Sequence, residues 1–555
     1  MTIRHVTNTQ QDASINDDSK CIGTRSNDRR ILFLSLEFNF SPFSGNGVLA
    51  RSLVSSLVRI GSTQVRVVCS RPHPSTPDIS SDICMTSDEV GSSSGLDIWP
   101  VELPQHCQWK RLDRMGPWKE FSTSAGLDFR SRIKEFRPTD VVCVDWHGIL
   151  AWESIRCAFL DEGNRLHDAV VCYYNFRVYS SSCWDHTTTS MSQQKVENAD
   201  DVFYREQELL SCRLADKILC LAEHDRKMLQ CLMKDHDFLH HFTDKEKMIL
   251  LPKQSAAAIE KKINNISILP PPLRGDIWEL ASNSMQNTDE YDRYLPPEAS
   301  DAIKTVLNQH CVPSLRQSQR FFLTCMVRLS PEKSAHHYVT LLQKLGGVQF
   351  LRRRGLIPLL CGAKSVGSYA QQVVDDFKSA CSSDSSDGIT WPCVVIDRFL
   401  GPKELAAVFS RTAINVHPSL YDAYGMTLVE SAAFGVPSIV NTGGKVGAVS
   451  LLGEGKGCID INLEKILGVG DTPTNVCDGP SNDIKALVQV LSSLENNHDC
   501  AMNLEKVATE ARTSALGWNE MACCQSLVNE LSNMHRERYV ELRVTHDTMM
   551  QKTKF

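Results

Sequence analysis

Short apolar runs, each followed by a stretch with helical spacing, recur along this chain and constrain its fold more than any other feature. Residues 31–36 form the first such run, of the kind that is buried in a parallel sheet. A glycine-bearing loop at residues 44–47 follows, then helical spacing from Val48 to Val58, and then a second apolar run at residues 65–69. This β–loop–α–β order opens a doubly wound sheet and predicts an α/β fold.

The pattern stops and restarts near the middle of the chain. Further strands of the first series are predicted at residues 140–144, 170–174, 215–221 and 266–269. Pro270-Pro271-Pro272 then ends the series, because proline can continue neither a ladder nor a helix. Strands of a second series are predicted at residues 321–327, 357–361, 393–396, 413–416 and 438–441. Two successive α/β halves predict two Rossmann-like domains that face each other across a cleft, with ligands at the carboxyl ends of the strands.

These patterns also suggest domain boundaries. Residues 1–29 are polar and are expected to be a disordered tail. We place a first Rossmann-like domain, for the acceptor, at residues 30–273 and a second, for a nucleotide-sugar donor, at residues 274–517. Residues 518–555 are expected to contain a C-terminal helix that packs back on the first domain.

Composition excludes several classes of protein. The chain has 555 residues, of which 42% are apolar and 23% are charged, as in ordinary globular proteins. A net charge of −7 argues against a nucleic-acid-binding surface. No apolar run reaches the ~18 residues of a membrane span, and no secretory signal is recognisable. We therefore expect a cytoplasmic protein without a transmembrane segment, whose 21 cysteines are reduced.

The stretch from His417 to Pro437 is the most informative for chemistry. An apolar strand leads into a loop with Asp422, and a helix is predicted to start near Gly425. The backbone N–H groups of Gly425, Met426 and Thr427 would then lie free at a helix N-terminus, ready for an anion or for sugar hydroxyls. Asp422 on the loop and Glu430 on the helix could together hold a polyhydroxylated ligand. Equally, Asp422 could cap the helix and Glu430 could be a solvated acid on its outer face.

This stretch resembles the donor-site signature of family 4 retaining glycosyltransferases, which have two Rossmann-like domains in the GT-B arrangement. In that family an acidic residue, seven others and a glutamate surround Tyr/Phe-Gly-Leu, and Gly-x-Pro follows. Asp422 and Glu430 take the acidic places, Tyr424-Gly425-Met426 the middle and Gly435-Val436-Pro437 the end. The donor domain resembles those of glycogen and sucrose synthases. This resemblance implies that Asp422 contacts the donor sugar and Glu430 the ribose. The first place is usually Glu, so Asp422 is one methylene shorter.

A second segment resembles the same family. Residues 327–333 are similar to the Gly-Arg-Leu-x-x-x-Lys segment, whose Arg and Lys hold the donor diphosphate, and Arg328 and Lys333 stand in those places. Two fixed cations there would stabilise the charge that the leaving diphosphate gains in the transition state. Taken alone, the segment could be a solvated pair at a helix start.

Three weaker matches follow in the family's order. Gly45 and Gly47 lie in the first-domain glycine loop that approaches the donor phosphates, although such a loop alone is only a turn. Asp145-Trp146-His147 resembles a segment of the glycogen and starch synthases, although His147 could equally be a buried, hydrogen-bonded histidine. Gly443 and Gly444 lie in the glycine loop that borders the donor.

The chain also departs from the family. Where members often carry a histidine that touches the donor sugar, this sequence has Asn175-Phe176-Arg177. Asn175 could still donate a hydrogen bond, and Arg177 could bind an anionic acceptor. Residues 271–276 replace the usual Asn-Gly-x-Asp linker, which indicates a divergent member.

No metal site is expected. His236, His240 and His241 could mimic a helical metal site, but clustered surface histidines are commoner. Asp235-His236-Asp237 is not at the end of an apolar strand, so it is not read as a metal-binding Asp-x-Asp motif.

The resemblance implies a retaining, metal-independent hexosyltransferase that moves a sugar from a UDP- or GDP-sugar to an unidentified acceptor, a glycan, a lipid or a small molecule. Arg328, Lys333 and Asp422 would carry the chemistry, and no cofactor besides the nucleotide-sugar substrate is expected. The alternatives are a catalytically weak or silent GT-B protein that binds a nucleotide sugar or acts as a scaffold, and a hydrolysing nucleotide-sugar epimerase of the same fold.

Overall fold

The computed structural model describes residues 29–40, 45–60, 63–76, 95–109, 115–160, 169–180, 199–235, 255–283, 291–309, 320–363, 368–382, 391–442, 445–467, 482–492 and 504–552. Residues 1–28 of the predicted tail lie outside these ranges, as do His236, His240, His241, Gly443 and Gly444.

The first half of the chain forms a sheet of seven parallel strands. In chain order they are β1 (Arg29–Ser35), β2 (Thr63–Arg71), β3 (Leu96–Glu102), β4 (Asp140–Val144), β5 (Val170–Asn175), β6 (Lys217–Cys220) and β7 (Ser267–Ile268). Their spatial order is β3-β2-β1-β4-β5-β6-β7. Every residue of β4 and β5 is buried, because helices cover both faces of the sheet.

The second half repeats the arrangement with six parallel strands. They are β8 (Phe322–Met326), β9 (Ile357–Cys361), β10 (Val394–Ile396), β11 (Thr412–Val416), β12 (Ser438–Asn441) and β13 (Cys458–Ile461). The spatial order β10-β9-β8-β11-β12-β13 matches that of the first six strands. The predicted fold class, α/β with two Rossmann-like domains, is therefore confirmed.

The helices of the described residues alternate with the strands. They are α1 (Gly45–Arg59), α2 (Trp118–Asp128), α3 (Arg130–Phe136), α4 (Asp145–Leu160), α5 (Ala199–Leu214), α6 (Glu223–Lys234), α7 (Ala256–Asn264), α8 (Gly275–Asn283), α9 (Pro297–Gln309), α10 (Ala335–Lys344), α11 (Gly347–Arg353), α12 (Tyr369–Cys381), α13 (Pro402–Ser410), α14 (Met426–Ala433), α15 (Ala448–Leu452), α16 (Leu463–Leu467), α17 (Asn482–Ser492), α18 (Leu504–Gly517) and α19 (Glu520–Lys552). None of these helices is long and apolar enough to cross a membrane.

Two strands, β3 and β13, and one loop differ from the sequence-based expectation, because neither strand was predicted. The edge strand β3 contains Pro100 and pairs only with β2, and an edge is where a sheet tolerates a proline that cannot donate to the ladder. The expected loop at residues 44–47 is instead, from Gly45 onward, the first turn of α1. A first turn leaves its N–H groups without intrahelical partners, so this correction keeps Gly45 and Gly47 at a helix N-terminus.

The C-terminal helix α19 packs against the first sheet and α1. Near its start, Glu520 accepts hydrogen bonds from Ser56 Oγ (3.2 Å) and from the backbone N–H of Gly275 (3.0 Å). Farther along, His535 Nε2 lies 3.0 Å from the buried carboxylate of Asp140 in β4. These contacts tie the end of the chain to its first half, whereas the boundaries drawn at residues 273 and 517 stay predictions.

Candidate active site

Both sheets reverse their strand order at one point, between β1 and β4 in the first and between β8 and β11 in the second. In open α/β sheets, ligands bind in the crevice at this switch point, beyond the carboxyl ends of the strands. Lys333 follows β8 and Asp422 follows β11, so the fold carries both predicted residues to the switch point of the second sheet.

Lys333 and Asp422, 89 residues apart, form an ion pair of 2.6 Å between Nζ and Oδ2. The buried His417 places Nε2 3.2 Å from the same oxygen. Burial alone would disfavour the charged carboxylate, but Lys333 and His417 outweigh it and hold the pKa of Asp422 below its usual value. The second domain therefore keeps a desolvated, ionised carboxylate at its switch point.

Backbone contacts fix the loop that carries Asp422. The Asp422 N–H donates to the carbonyl of Lys445 (3.0 Å), and the Gly447 N–H donates to the carbonyl of Asp422 (3.0 Å). Ser419 Oγ donates to the backbone carbonyl of Lys333 (2.9 Å). The loop is thus held from both sides, by the segment after β8 and by the segment that follows Gly443 and Gly444.

Helix α14 begins where the sequence predicts it. Gly425 precedes it with a φ of +84°, and a Cβ there would lie 3.1 Å from Leu428 Cδ1, so the position requires glycine. Met426 and Thr427, in the first turn, are half-buried. Their N–H groups belong to the turn that has no intrahelical partners, which makes this end of the helix suitable for an anion or hydroxyl oxygen.

Glu430 is buried on α14, with 8% of its side chain exposed, so it is not a solvated acid on the outer face. Its Oε1 lies 3.2 Å from Nε of Arg274, which follows the proline-rich linker. Burial raises the pKa of Glu430, and Arg274 offsets this only in part. Arg274 is a partner that sequence reasoning missed, although it lies within residues 271–276, the segment that departs from the usual linker.

Arg328 has a different partner. Its guanidinium pairs with Glu332, and its Nε donates to Ser330 Oγ (3.3 Å). About a third of each side chain in the Arg328–Glu332 pair is exposed, at 34% and 37%. The structure thus joins Lys333 to Asp422 but leaves Arg328 paired with its own neighbour.

In the first domain, Asp145 is the centre of the corresponding switch point. It follows β4 with a φ of +51° and is fully buried. Its Oδ2 accepts from Asn46 Nδ2 (2.8 Å) in the glycine-bearing turn and from the Tyr179 hydroxyl (3.2 Å), and its Oδ1 accepts from the Phe176 N–H (2.7 Å). Burial outweighs these hydrogen bonds and raises the pKa of Asp145 from 3.8 to about 7.

His147, two residues on, is buried within the first turn of α4, beside Trp146. Burial, partly offset by the backbone of Val144, lowers the pKa of His147 to about 3. Neither ring nitrogen has a well-aligned hydrogen-bond partner among the described residues, although the backbone of Val144 is close enough to act on the ring. His147 is therefore buried, as one interpretation of the sequence predicts, and its ring is at best weakly hydrogen-bonded.

Asn175 and Arg177 follow β5. Asn175 Nδ2 donates to the Tyr173 hydroxyl (2.8 Å) and to the Arg177 carbonyl (2.9 Å), while its buried Oδ1 has no partner among the described residues. Arg177 is exposed as a residue, and its guanidinium lies 5.5 Å from the centre of the Tyr179 ring.

Arg177 also lies close enough to charged groups of the second domain for them to shift its pKa. Desolvation opposes its charge, but nearby groups, among them Tyr421, Glu332 and Asp422 of the second half, raise the pKa of Arg177. The first-domain cation is therefore close in space to the acids beyond the second sheet, and the two switch points face a common cleft.

Two further observations concern other kinds of site. Within the described ranges, no group of three or more His, Cys, Asp or Glu side chains is arranged to hold a metal ion. A cavity of about 200 Å³, lined by Val170, Asp216 and Lys262 among others, lies at the amino ends of β5 and β6. It is thus at the opposite edge of the sheet from Asn175.

Neither a comparison with models of known protein families nor one with curated protein sequences gave a match. Solved structures do match over nearly the whole chain. The catalytic domain of starch synthase IV from Arabidopsis thaliana, bound to ADP and acarbose, is 12% identical, with 92% of this chain and 100% of that chain covered and a TM-score of 0.56.

Two more structures show the same likeness. Sucrose-phosphate synthase from Thermosynechococcus elongatus is 12% identical, with 92% and 100% of the two chains covered and a TM-score of 0.53. The UDP-forming α,α-trehalose-phosphate synthase from Burkholderia vietnamiensis is 11% identical, with 92% and 97% covered and a TM-score of 0.54. At such identities the likeness establishes the fold, which is the two-domain GT-B fold.

Proposed function

We propose that this protein is a retaining glycosyltransferase that transfers a hexose from a nucleotide diphosphate sugar, UDP- or GDP-linked, to an acceptor bound by the first domain. The observation that carries the proposal is the Lys333–Asp422 ion pair of 2.6 Å at the switch point of the second sheet. Membership of family 4 and a cytoplasmic location belong to the same proposal. The similar structures support it, because one is bound to ADP and acarbose and another is UDP-forming.

In this proposal, Lys333 and Arg328 bind the donor diphosphate. Lys333 has 27% of its side chain exposed, so its ammonium can meet a ligand while it still holds Asp422. Arg328 would exchange Glu332 for a phosphate oxygen, and both groups are about a third exposed. Charge-assisted hydrogen bonds to the departing diphosphate strengthen as its negative charge grows, and such bonds lower the barrier without a metal ion.

The two acids then take different parts of the donor. Asp422 is held ionised by Lys333 and accepts hydrogen bonds from the sugar hydroxyls. Glu430, buried beside Arg274 on α14, accepts from the ribose hydroxyls. The N–H groups of Gly425, Met426 and Thr427 donate hydrogen bonds to donor oxygens at the start of the helix. For Gly443 and Gly444, which lie outside the described residues, only the family resemblance suggests a role at the same donor.

Retention of configuration follows from attack on the face that the leaving group vacates. The bond between the anomeric carbon and the diphosphate oxygen breaks, and the acceptor oxygen bonds to that carbon on the same face. The acceptor proton passes to the departing diphosphate, so no side-chain nucleophile is assigned. Closure of the two domains excludes water and limits hydrolysis of the donor.

The experiment measures nucleotide release from UDP-, GDP- and ADP-glucose in the presence of a panel of mono- and disaccharide acceptors. We expect one donor to be consumed faster with an acceptor, and Lys333→Met to slow the reaction about 10- to 100-fold through the loss of a charge-assisted hydrogen bond. Lys304→Met is the matched control, because Lys304 is an exposed helix lysine paired with Asp301. Equal rates in the two variants would contradict the diphosphate assignment, and no turnover of any donor by the wild type would favour the silent GT-B protein.

A further inference from the structure

The first domain contacts the Asp422 loop directly through the start of α6. The Tyr421 hydroxyl, one residue before Asp422, donates a hydrogen bond of 3.3 Å to Oδ1 of Asp225. Asp225 lies in the first turn of α6 and is fully buried, and its Oδ2 has no hydrogen-bond partner among the described residues. A hydrogen bond thus crosses the cleft beside the predicted donor-sugar contact.

Close packing between Gly447 of the second domain and Ala222 of the first domain supports this hydrogen bond. A Cβ on Gly447 would lie 2.9 Å from the Cβ of Ala222, which precedes α6, and 2.1 Å from the carbonyl of Ala423. Gly447 belongs to the segment whose backbone pairs with Asp422. The start of α6 therefore fits closely against both second-domain segments that position Asp422, and glycine is what permits this approach.

Aromatic and charged side chains surround the hydrogen bond between Tyr421 and Asp225. The His224 ring lies 5.7 Å from the Tyr421 ring, and burial followed by the charge of Lys445 lowers the pKa of His224 to about 4. Arg177 approaches the pair from the end of β5. Its charge acts to lower the pKa of Asp225, and Tyr421 acts to raise the pKa of Arg177. Elements from both domains therefore converge on a single hydrogen bond.

We propose that Asp225 and Tyr421 form the closing contact of the cleft, a pair of positioning residues that holds the Asp422 loop against the first domain when the domains close. Neither residue touches the reacting atoms. Their effect is to fix Asp422, and hence the donor sugar, relative to the acceptor bound by the first domain. The catalytic part of this inference rests on the proposed function, whereas the closing contact itself does not.

The first test compares domain closure in the full-length wild type and in Tyr421→Phe, which removes only the hydroxyl. Small-angle X-ray scattering measures the radius of gyration without ligand and with UDP, GDP or ADP. We expect Tyr421→Phe to have a larger radius of gyration and a weaker contraction with the nucleotide that binds. An unchanged radius of gyration in both conditions would overturn the proposal. Tyr291→Phe is the control, because its hydroxyl donates to a backbone carbonyl, that of Leu280, outside the cleft.

A second set of variants separates the hydrogen bond from mere folding. Asp225→Asn keeps an oxygen that can accept from Tyr421 and should stay within about 2-fold of the wild-type rate, whereas Asp225→Leu should lose about 5- to 10-fold, as for one net hydrogen bond. The double variant Asp225→Leu/Tyr421→Phe should lose no more than either single variant. Losses in kcat rather than in the donor KM are expected. Losses that multiply in the double variant would overturn the pairing, and Tyr421→Phe carries the test if Asp225→Leu does not fold.

The pH dependence of domain closure tests the role of Asp225 independently. Burial raises the pKa of Asp225 well above its usual value, and the titratable groups near it include Tyr421, Asp422, Glu208 and Arg177, together with Cys220 at the end of β6. A carboxyl whose pKa is raised in the closed state favours closure below its open-state pKa and loses this contribution as pH rises through its closed-state pKa. The closed fraction of the wild type should therefore fall as pH rises, and Asp225→Asn should remove most of this slope. Equal slopes in the two proteins would contradict the role of Asp225.

These measurements keep the two proposals apart. If no nucleotide sugar is turned over by the wild type, the proposed function fails, while scattering of the ligand-free variants still decides whether Asp225 and Tyr421 close the cleft. If turnover is normal in Tyr421→Phe and Asp225→Leu, the positioning role fails and the proposed function stands.

Discussion

The two sides of the cleft differ in how their polar groups are satisfied. On the side of the second domain, each predicted acid has a cation within 3.2 Å, Lys333 for Asp422 and Arg274 for Glu430. On the side of the first domain, buried polar atoms of His147 and Asn175 have no partner among the described residues. The second side also has buried atoms without a hydrogen-bond partner in the described part of the chain, at His417 and Asn415, so what distinguishes it is its fixed charges. Because buried polar groups normally find partners, the atoms of His147 and Asn175 can be completed by hydroxyls or water.

The difference fits the two substrates of the proposed reaction. A nucleotide diphosphate carries fixed negative charges, and a site for it benefits from cations that are already in place. An acceptor contributes hydroxyl groups that can both donate and accept hydrogen bonds. Replacing a charged side chain by a neutral one should therefore change stability, and its dependence on pH, differently on the two sides of the cleft.

The largest effect is expected from Lys333→Met, which leaves the carboxylate of Asp422 desolvated without its main cation. Breaking such a pair should lower the free energy of unfolding by about 2–3 kcal/mol, at or just below the range for fully buried pairs, because Lys333 keeps 27% exposure. Because the pKa of Asp422 is lowered by folding, its contribution is present above its unfolded pKa and is lost as pH falls. Urea unfolding at neutral and acidic pH measures both quantities, and a loss no larger than that of Lys304→Met would break the contrast.

Asp145 should give the opposite pH dependence on the first side. Its pKa rises from 3.8 to about 7 on folding, so the stability it contributes is fully present below the unfolded value and is lost as pH rises to the folded value. Over that window the wild type should lose up to about 1.4 kcal/mol per pH unit through this group. Asp145→Asn should flatten this slope, and asparagine also tolerates the positive φ at this position. Parallel stability curves for the two proteins would contradict the assignment.

Glu430→Gln should sharpen the contrast within the second side. Because burial raises the pKa of Glu430, its contribution is present below the unfolded value and is lost as pH rises, so the neutral amide should be as stable as the wild type or more stable by up to about 1 kcal/mol at neutral pH. The donor KM should nevertheless rise, since the ribose loses a charged acceptor. Calorimetric unfolding and donor kinetics test both halves, and an unchanged donor KM would count against the ribose role.

The smallest change in stability is expected from His147→Leu. No partner among the described residues is left unsatisfied when the imidazole is removed, so the free energy of unfolding should change by less than about 1 kcal/mol. The acceptor KM should rise in this variant, since the account has acceptor hydroxyls forming hydrogen bonds with the ring nitrogens of His147. His535→Leu is the comparison, because His535 lies 3.0 Å from the fully buried Asp140 and its removal should cost more. A larger loss of stability in His147→Leu than in His535→Leu would mean that the His147 ring already has hydrogen-bond partners within the protein.

The fold was predictable where hydrophobic pattern and local turn chemistry agree. The predicted strand at residues 438–441 coincides with β12, and the helix predicted to start near Gly425 begins at Met426. β3 was not predictable from pattern, because Asp97 and Pro100 interrupt the run and only its edge position makes them acceptable. A hydrophobic pattern indicates which residues of a segment are buried, but it does not indicate which strands lie beside that segment in the sheet.

The site was predictable in its second-domain residues and less so in their partners. Lys333 and Asp422 could be named from the motif, but their 2.6 Å contact depends on β8 and β11 being neighbours in the sheet. Arg274 and Asp225 were missed because each acquires its role from a residue far away in sequence. The functional roles of the named residues stay predictions.

The central claim, a preorganised diphosphate site around Lys333, is tested most directly by thermal unfolding of the wild type and of Lys333→Met with UDP, GDP and ADP. A nucleotide present at about 100 times its Kd should add about 2.7 kcal/mol of stability. The account predicts stabilisation of the wild type by one of these nucleotides and little or none in Lys333→Met. Equal stabilisation of the two proteins, or none of the wild type by any nucleotide, would contradict it.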